Sequence, residues 1–223
     1  MLNFVLQTEA VAVAEASSIS LLDMAAKGGW LMLVLLALSI IAVYIFGERL
    51  VVLRKAAKVD QNFMNNIKEY IYEGKVQAAI HLCEDHNTTI SRLIERGLHN
   101  IGRPVPDIRS AIENKANIEV GRLERGLPVL ASISGGAPMV GFLGTVIGMI
   151  QAFYNMSMAG NNIDITLLSG GIYTAMVTTV AGLLVGIPAY FAYNYLTARV
   201  GHIINQMETY TLEFMDILQE PVK

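Results

Sequence analysis

The chain has 223 residues, of which 53% are hydrophobic and 16% charged. A mean hydropathy of +0.46 marks an integral membrane protein with a modest water-exposed portion. A net charge of −3 leaves no basic patch of the kind nucleic acid requires, and the single cysteine, Cys83, excludes an internal disulfide.

Residues 1–27 read as an extracytoplasmic N-terminal arm followed by a short interfacial helix. The arm, Met1 to Glu15, alternates small apolar residues with Glu9 and Glu15 and lacks the basic start of a signal peptide. In the stretch after it, Ser20 and Asp23 resemble a capping box ahead of Leu21 and Leu22. It is read either as a helix lying on the membrane surface or as a frayed lead-in to the span.

Residues 28–47 form the first predicted transmembrane helix. The run GGWLMLVLLALSIIAVYIFG holds twenty uncharged residues between Lys27 and Glu48, about 30 Å of helix and enough to cross the hydrocarbon. It is rich in Leu and Ile and poor in small residues, which places it on the outside of a bundle. Trp30 and Tyr44 near its ends suit the interfaces.

Residues 48–125 are soluble in character and carry thirteen of the sixteen Lys and Arg residues, which assigns them to the cytoplasm as a helical domain. Stripes at helical spacing run through Phe63, Met64, Ile67, Tyr70 and Ile71, then Ile90, Leu93, Ile94, Leu98 and Ile101. Stops fall at Gly74, Asn87 and Gly102 to Pro106. His81, Glu84 and His86 are close in sequence, but solvated helix faces produce such groupings often, so no metal site is predicted there. Cys83 reads as a buried, silent side chain.

Residues 126–157 and 166–198 are the second and third predicted spans, joined by a periplasmic turn at 158–165. Between Arg125 and Arg199 the only Asp, Glu, Lys, Arg or His is Asp164. Both runs are rich in small residues, which let spanning helices approach closely where lipid offers no hydrophobic drive. Gly141, Gly144 and Gly148 on the second span, and Gly182 and Gly186 on the third, are predicted packing positions. Pro138 and Pro188 each remove a backbone hydrogen bond inside a span; static packing is preferred over a hinge for both. Thr145 lies mid-span on one helix, and Thr174, Thr178 and Thr179 lie on the other, with Thr174 and Thr178 one turn apart. Residues 199–223 keep helical spacing at Val200, Ile203, Met207, Phe214 and Ile217, extending the third span into a cytoplasmic C-terminal helix. With the charge bias, the N-terminus is periplasmic and the C-terminus cytoplasmic. The fold class is an all-α integral membrane protein, three transmembrane helices with long cytoplasmic helical extensions.

Two motifs, GGAPMVGFLGTVIGMIQAF from Gly135 and GGIYTAMVTTVAGLLVGIPAYFAYN from Gly170, resemble the second and third spans of the MotA/TolQ/ExbB proton-channel family. Within it the chain looks most like the ExbB branch, and the GGW…GER frame of the first span fits. Motor stator subunits of the MotA type usually have four spans and greater length, which argues against that branch. The resemblance implies a bacterial inner-membrane homopentamer around single-span ExbD- or TolR-like partners, converting proton-motive force into work on a TonB- or TolA-like protein. It implies that Thr145 and Thr179 line the central pore. The chain departs from the family at Thr174, where ExbB commonly has a glutamate.

No span carries an Asp, Glu, His, Lys or Arg, so protons crossing here need a carboxylate from a partner. Thr145, Thr178 and Thr179 then orient water or bond that carboxylate, with Thr174 a further candidate on the path. The alternative is that these threonines bond their own helix carbonyls or glue neighbouring helices. An enzyme is disfavoured because no nucleophile set, paired carboxylates or phosphate loop is present, and no cofactor is predicted. Two rivals remain: a passive membrane scaffold without ion flux, and a solute transporter, the latter disfavoured by the lack of an inverted repeat.

Overall fold

The computed structural model describes residues 28–57, 62–159 and 165–219. The N-terminal arm with its Ser20/Asp23 cap, most of the turn before the third span, and the final four residues lie outside these. The described residues form seven helices and no strand. They are α1 (Trp30–Ala56), α2 (Phe63–Tyr72), α3 (Val76–His86), α4 (Thr89–Leu98), α5 (Val105–Leu123), α6 (Leu127–Ala159) and α7 (Ile165–Gln219). Three stretches are long and apolar enough to cross a membrane, on α1, on the α5–α6 segment and on α7, as the hydropathy requires.

The chain divides into two compact units. One holds the described residues up to Ala42 with Ser132–Tyr190; the other holds Val43–Ala131 and the described residues from Phe191. In the first, α1 leaves Leu33, Leu36 and Ile40 exposed while Leu31 and Leu35 are buried, the one-sided burial of a helix with an outward apolar face. The large side chains of α6 and α7 are also turned outward, among them Met139, Phe142, Ile150, Leu184 and Ile187. In this unit they bury mostly small positions, Ala137, Ala152, Ala175 and Thr178, with Ile133 and Val177 the larger side chains that are buried.

The second unit is a set of short helices around a core of large apolar side chains. Neighbours pack in order, α2 on α3, α3 on α4 and α4 on α5. The predicted stripes face inward at Phe63, Met64 and Ile67 and at Ile90, Leu93, Ile94 and Leu98. Ile101 departs from its stripe and is 36% exposed, because α4 ends at Leu98 and the helical phase is lost before it. The stops fall where the punctuating residues stand. Asn87 caps α3 in the left-handed conformation, φ 41°, and Gly74 follows α2 at φ +70°, a region open to glycine at little cost. α4 opens with a reciprocal cap: Thr88 Oγ1 accepts from Ser91 N at 3.1 Å, and Ser91 Oγ accepts from Thr88 N at 2.8 Å. Pro106 sits in the first turn of α5, where its missing N–H costs nothing.

At the core of this unit, Phe214 of α7 is fully buried with Ile112 of α5 beside Gly97 of α4. A Cβ on Gly97 would lie 2.5 Å from Phe214 Cε1 and 2.9 Å from Ile112 Cδ1. Glu119 of α5 is a buried charge: its side chain is 2% exposed. It accepts from Arg92 Nη2 at 2.8 Å and Arg122 Nη1 at 3.0 Å, and pairs with Lys115 Nζ at 3.1 Å. Burial raises the Glu119 pKa, but hydrogen bonds and charge from Arg92 and Lys115 outweigh it and hold the carboxyl below its ordinary value. Arg92 also donates to the Asn87 carbonyl and side chain, each at 3.0 Å. One guanidinium thereby fastens the α3 terminus to α5.

Candidate functional site

The site is built where α6 and α7 of the first unit run antiparallel with almost no side chain between them. On α6 the contact positions are Ala137, Gly141, Gly144, Gly148 and Ala152; on α7 they are Gly171, Ala175, Thr178, Gly182 and Gly186. Both sets step along the chain by four, three, four and four residues, so each keeps one face of its helix. A Cβ on Gly182 would stand 2.7 Å from Ala137 O and 2.9 Å from Gly141 Cα. One on Gly141 would meet Thr178 O at 2.8 Å, one on Gly148 would meet Ala175 Cβ at 2.9 Å, and one on Gly144 would meet Thr178 Cβ at 2.6 Å. These distances are shorter than any real methyl contact. The backbones therefore approach only because these positions are glycine.

Nearer the start of α6, Pro138 lies over Gly186, where a Cβ would fall 2.5 Å from the ring Cγ and Cδ. α6 continues through Pro138, and α7 continues through Pro188. Gly171 is a packing position that the glycine spacing alone does not mark. A Cβ there would come within 2.7 Å of Ala152 Cβ. Its signal is the step of four to Ala175, hidden because the next small position, Thr178, is not a glycine.

Close backbones bring two hydroxyls together. Thr145 Oγ1 of α6 and Thr179 Oγ1 of α7 are hydrogen-bonded to one another. Thr179 Oγ1 also donates toward Gly141 O at 3.2 Å, while Thr145 Oγ1 lies 3.4 Å from both Gly141 O and Ala175 O. Both threonines are partly exposed within the single chain. Each hydroxyl has one proton and two lone pairs, so the pair retains acceptor capacity after its mutual bond. Thr178 and Thr174 behave differently. Thr178 is 1% exposed and donates to Ala175 O, one turn back on its own helix, at 2.8 Å. Thr174 donates to Gly170 O at 3.0 Å on an open face. The structure thus joins Thr145 to Thr179, wedges Thr178 against Gly144, and leaves Thr174 apart from them.

No three of His, Cys, Asp and Glu gather into a metal-binding group among the described residues. His81 Nδ1 meets Glu84 Oε2 at 3.1 Å on an exposed face, whereas His86 packs edge-on against Phe63 with centroids 5.4 Å apart. Cys83 is fully buried, and burial, with the charges of Glu95 and Glu84, pushes its thiol up to about 12.

An all-helical membrane protein whose small-residue contact carries a bonded threonine pair, with no acidic, basic or histidine side chain along two spans, matches a known class. The model of the MotA/TolQ/ExbB proton channel family matches residues 85–209, more than half of the chain. The chain belongs to that family. It is 29% identical to a protein of Methanothermobacter thermautotrophicus described as a homologue of the biopolymer transport protein ExbB, over 85% of this chain and 67% of that protein. It is 32% identical to an ExbB-like biopolymer transport protein of Synechocystis sp., over 80% of this chain and 71% of that one. It is also 36% identical to the Tol-Pal system protein TolQ of Haemophilus influenzae, over 46% of this chain and 44% of that protein.

Proposed function

We propose that this chain is the ExbB-like subunit of a proton-driven motor in the bacterial inner membrane, with its N-terminus periplasmic and its C-terminus cytoplasmic. It assembles as a homopentamer around an ExbD- or TolR-like single-span partner and energises TonB-dependent transport across the outer membrane. The observation that carries this reading is the Thr145–Thr179 pair, partly exposed on a pair of spans that hold no proton-binding side chain. The partner supplies an intramembrane Asp. When that carboxyl is charged, Thr179 turns its proton from Gly141 O to donate to it; when it is neutral, its O–H donates to a lone pair the hydroxyls keep, its place in the apolar path is cheap and the partner moves. One charge crossing gains about 2.3 kcal/mol per 100 mV, more than the roughly 1.4 kcal/mol that shifts a two-state population tenfold.

Thr174 lies partly exposed one turn from the buried Thr178 and is assigned to the wall of the same path, taking the place of the family's glutamate as a neutral hydrogen-bonding group. Thr178 serves the path indirectly by holding the spacing at Gly144. A TolQ-like role in envelope integrity is the second reading, supported by the TolQ relative.

The test is proton entry into liposomes holding this chain with the single-span protein that co-purifies with it. Thr145→Val with Thr179→Val abolishes the flux while the complex stays assembled. Undiminished flux in that variant removes the proposal, and an assembled wild-type complex that passes no protons leaves a scaffold. In cells, loss of TonB-dependent uptake separates the ExbB-like role from the envelope leakage of a TolQ-like one.

A further inference from the structure

Several cations of the charged segment are neutralised within it. Arg49 pairs with Glu48, Lys75 with Glu73, and Arg92, Lys115 and Arg122 with Glu119. Arg54 of α1 and Arg199 of α7 differ from these, because neither has a carboxylate partner among the described residues. Both open on the same cavity, of about 190 Å³, together with His202. The floor of this cavity is apolar and buried: Leu53 is 3% exposed, Leu196 0% and Ile203 1%. Its rim is exposed, and no Asp or Glu lines it. Arg199 is held in place on that rim by Tyr195, whose hydroxyl accepts from Arg199 Nε at 3.3 Å and whose ring lies 5.6 Å from the guanidinium carbon. The terminal nitrogens of Arg199 remain available.

The position along each helix adds the decisive constraint. Leu50, the first cavity residue of α1, comes three residues after Gly47, the last of the uncharged run, and Arg199 directly follows Ala198, the last of the other. At 1.5 Å per residue, both lie within about 5 Å of the hydrocarbon edge, inside the headgroup layer. Arg54 stands about 10 Å out by the same measure, but helical side chains tilt toward the N-terminus, which on α1 is the direction of the membrane. An apolar floor under a cationic rim at that depth has the chemistry of a phospholipid: the floor takes glycerol and the first methylenes, and the guanidiniums take the phosphate diester.

We infer that the cavity between the end of the first span and the end of the third binds an anionic phospholipid of the adjacent leaflet, with Arg54, Arg199 and His202 on its headgroup phosphate. This site is separate from the Thr145–Thr179 pair, and it stands whether or not that pair conducts protons.

Native mass spectrometry of the intact complex, released from nanodiscs of equal phosphatidylglycerol and phosphatidylcholine, tests it. The expected result is selective retention of phosphatidylglycerol by the wild type. Arg54→Gln, Arg199→Gln and His202→Gln combined weaken it by about five-fold for each cation removed at the surface, while Arg54→Lys with Arg199→Lys keeps the preference. Circular dichroism monitors folding, and if the triple variant loses helix, Arg54→Gln and Arg199→Gln alone, both at exposed positions, carry the test. Equal retention by wild type and the glutamine variants overturns the proposal. So does displacement of the lipid by millimolar glycerol 3-phosphate, which marks a site for soluble phosphates. A change in copy number with unchanged lipid per chain also overturns it, since the cavity is then an interface between copies.

Discussion

Thr145 and Thr179 lie 34 positions apart in the chain yet share a hydrogen bond across the glycine-lined contact of α6 and α7. Their meeting depends on Gly141, whose carbonyl accepts from Thr179 and whose missing side chain lets the α7 backbone in. Hydrogen bonds between spanning helices contribute about 0.6 kcal/mol on average and up to about 1.7. A double-mutant cycle with Thr145→Val and Thr179→Val, read by unfolding in detergent micelles, is expected to give a coupling in that range. The valines keep the shape, so a much larger loss would show that the pair is a packing element first.

Adjacent glycines are expected to respond in opposite ways. A methyl added to Gly170 would meet nothing within 4 Å, whereas one on Gly171 would strike Ala152 Cβ at 2.7 Å. Gly170→Ala should leave the melting temperature unchanged or raise it slightly, since alanine is the better helix former by about 1 kcal/mol. Gly171→Ala should cost about 1 to 3 kcal/mol by overpacking. Thermal melts of the two variants in one detergent decide the matter.

Removing the charge of Glu119 strands three cations. Breaking a fully buried ion pair costs about 3 to 5 kcal/mol, but Arg92, Lys115 and Arg122 keep part of their surface in water. Glu119→Gln is therefore expected to cost on the order of 2 kcal/mol. The pH dependence follows from the lowered folded-state pKa. The stabilisation is fully present above the ordinary glutamate value of about 4.3 and is lost as pH falls through the lower folded-state value. Unfolding curves from pH 7 to pH 3 should show this acid limb in the wild type and a flatter one in the variant.

Cys83 should resist labelling. Its thiol is buried, and its pKa is pushed up to about 12, so at pH 7 almost none is thiolate, the reactive form. A maleimide reagent is expected to label it only under denaturing conditions, as read by intact mass. Labelling of the folded protein within minutes would show that α3 opens locally.

Much of this architecture was legible along the chain. Twenty uncharged residues cannot be anything but a span-length helix once hydropathy is this high, and the stops at Gly74 and Asn87 follow from backbone conformations that few other residues adopt. The four-residue glycine steps marked a packing face because lipid cannot reward large apolar side chains there. The reach of each stripe was less legible: Ile101 has the right spacing, but a period says nothing about where the helix carrying it ends.

What the sequence determined by itself is local or one-dimensional: span number, the small-residue faces and the exclusion of charge from the spans, all consequences of the cost of polar groups in hydrocarbon. Which groups meet was decided only by tertiary structure. Thr178 and Thr179 are neighbours of the same type, yet a turn of about 100° around the helix sends one into Gly144 and the other to Thr145. Glu119 looks like one more carboxylate on a charged helix until α4 brings Arg92 to it. Burial and partner choice depend on the register between helices distant in sequence, and the packing of backbones and side chains sets that register.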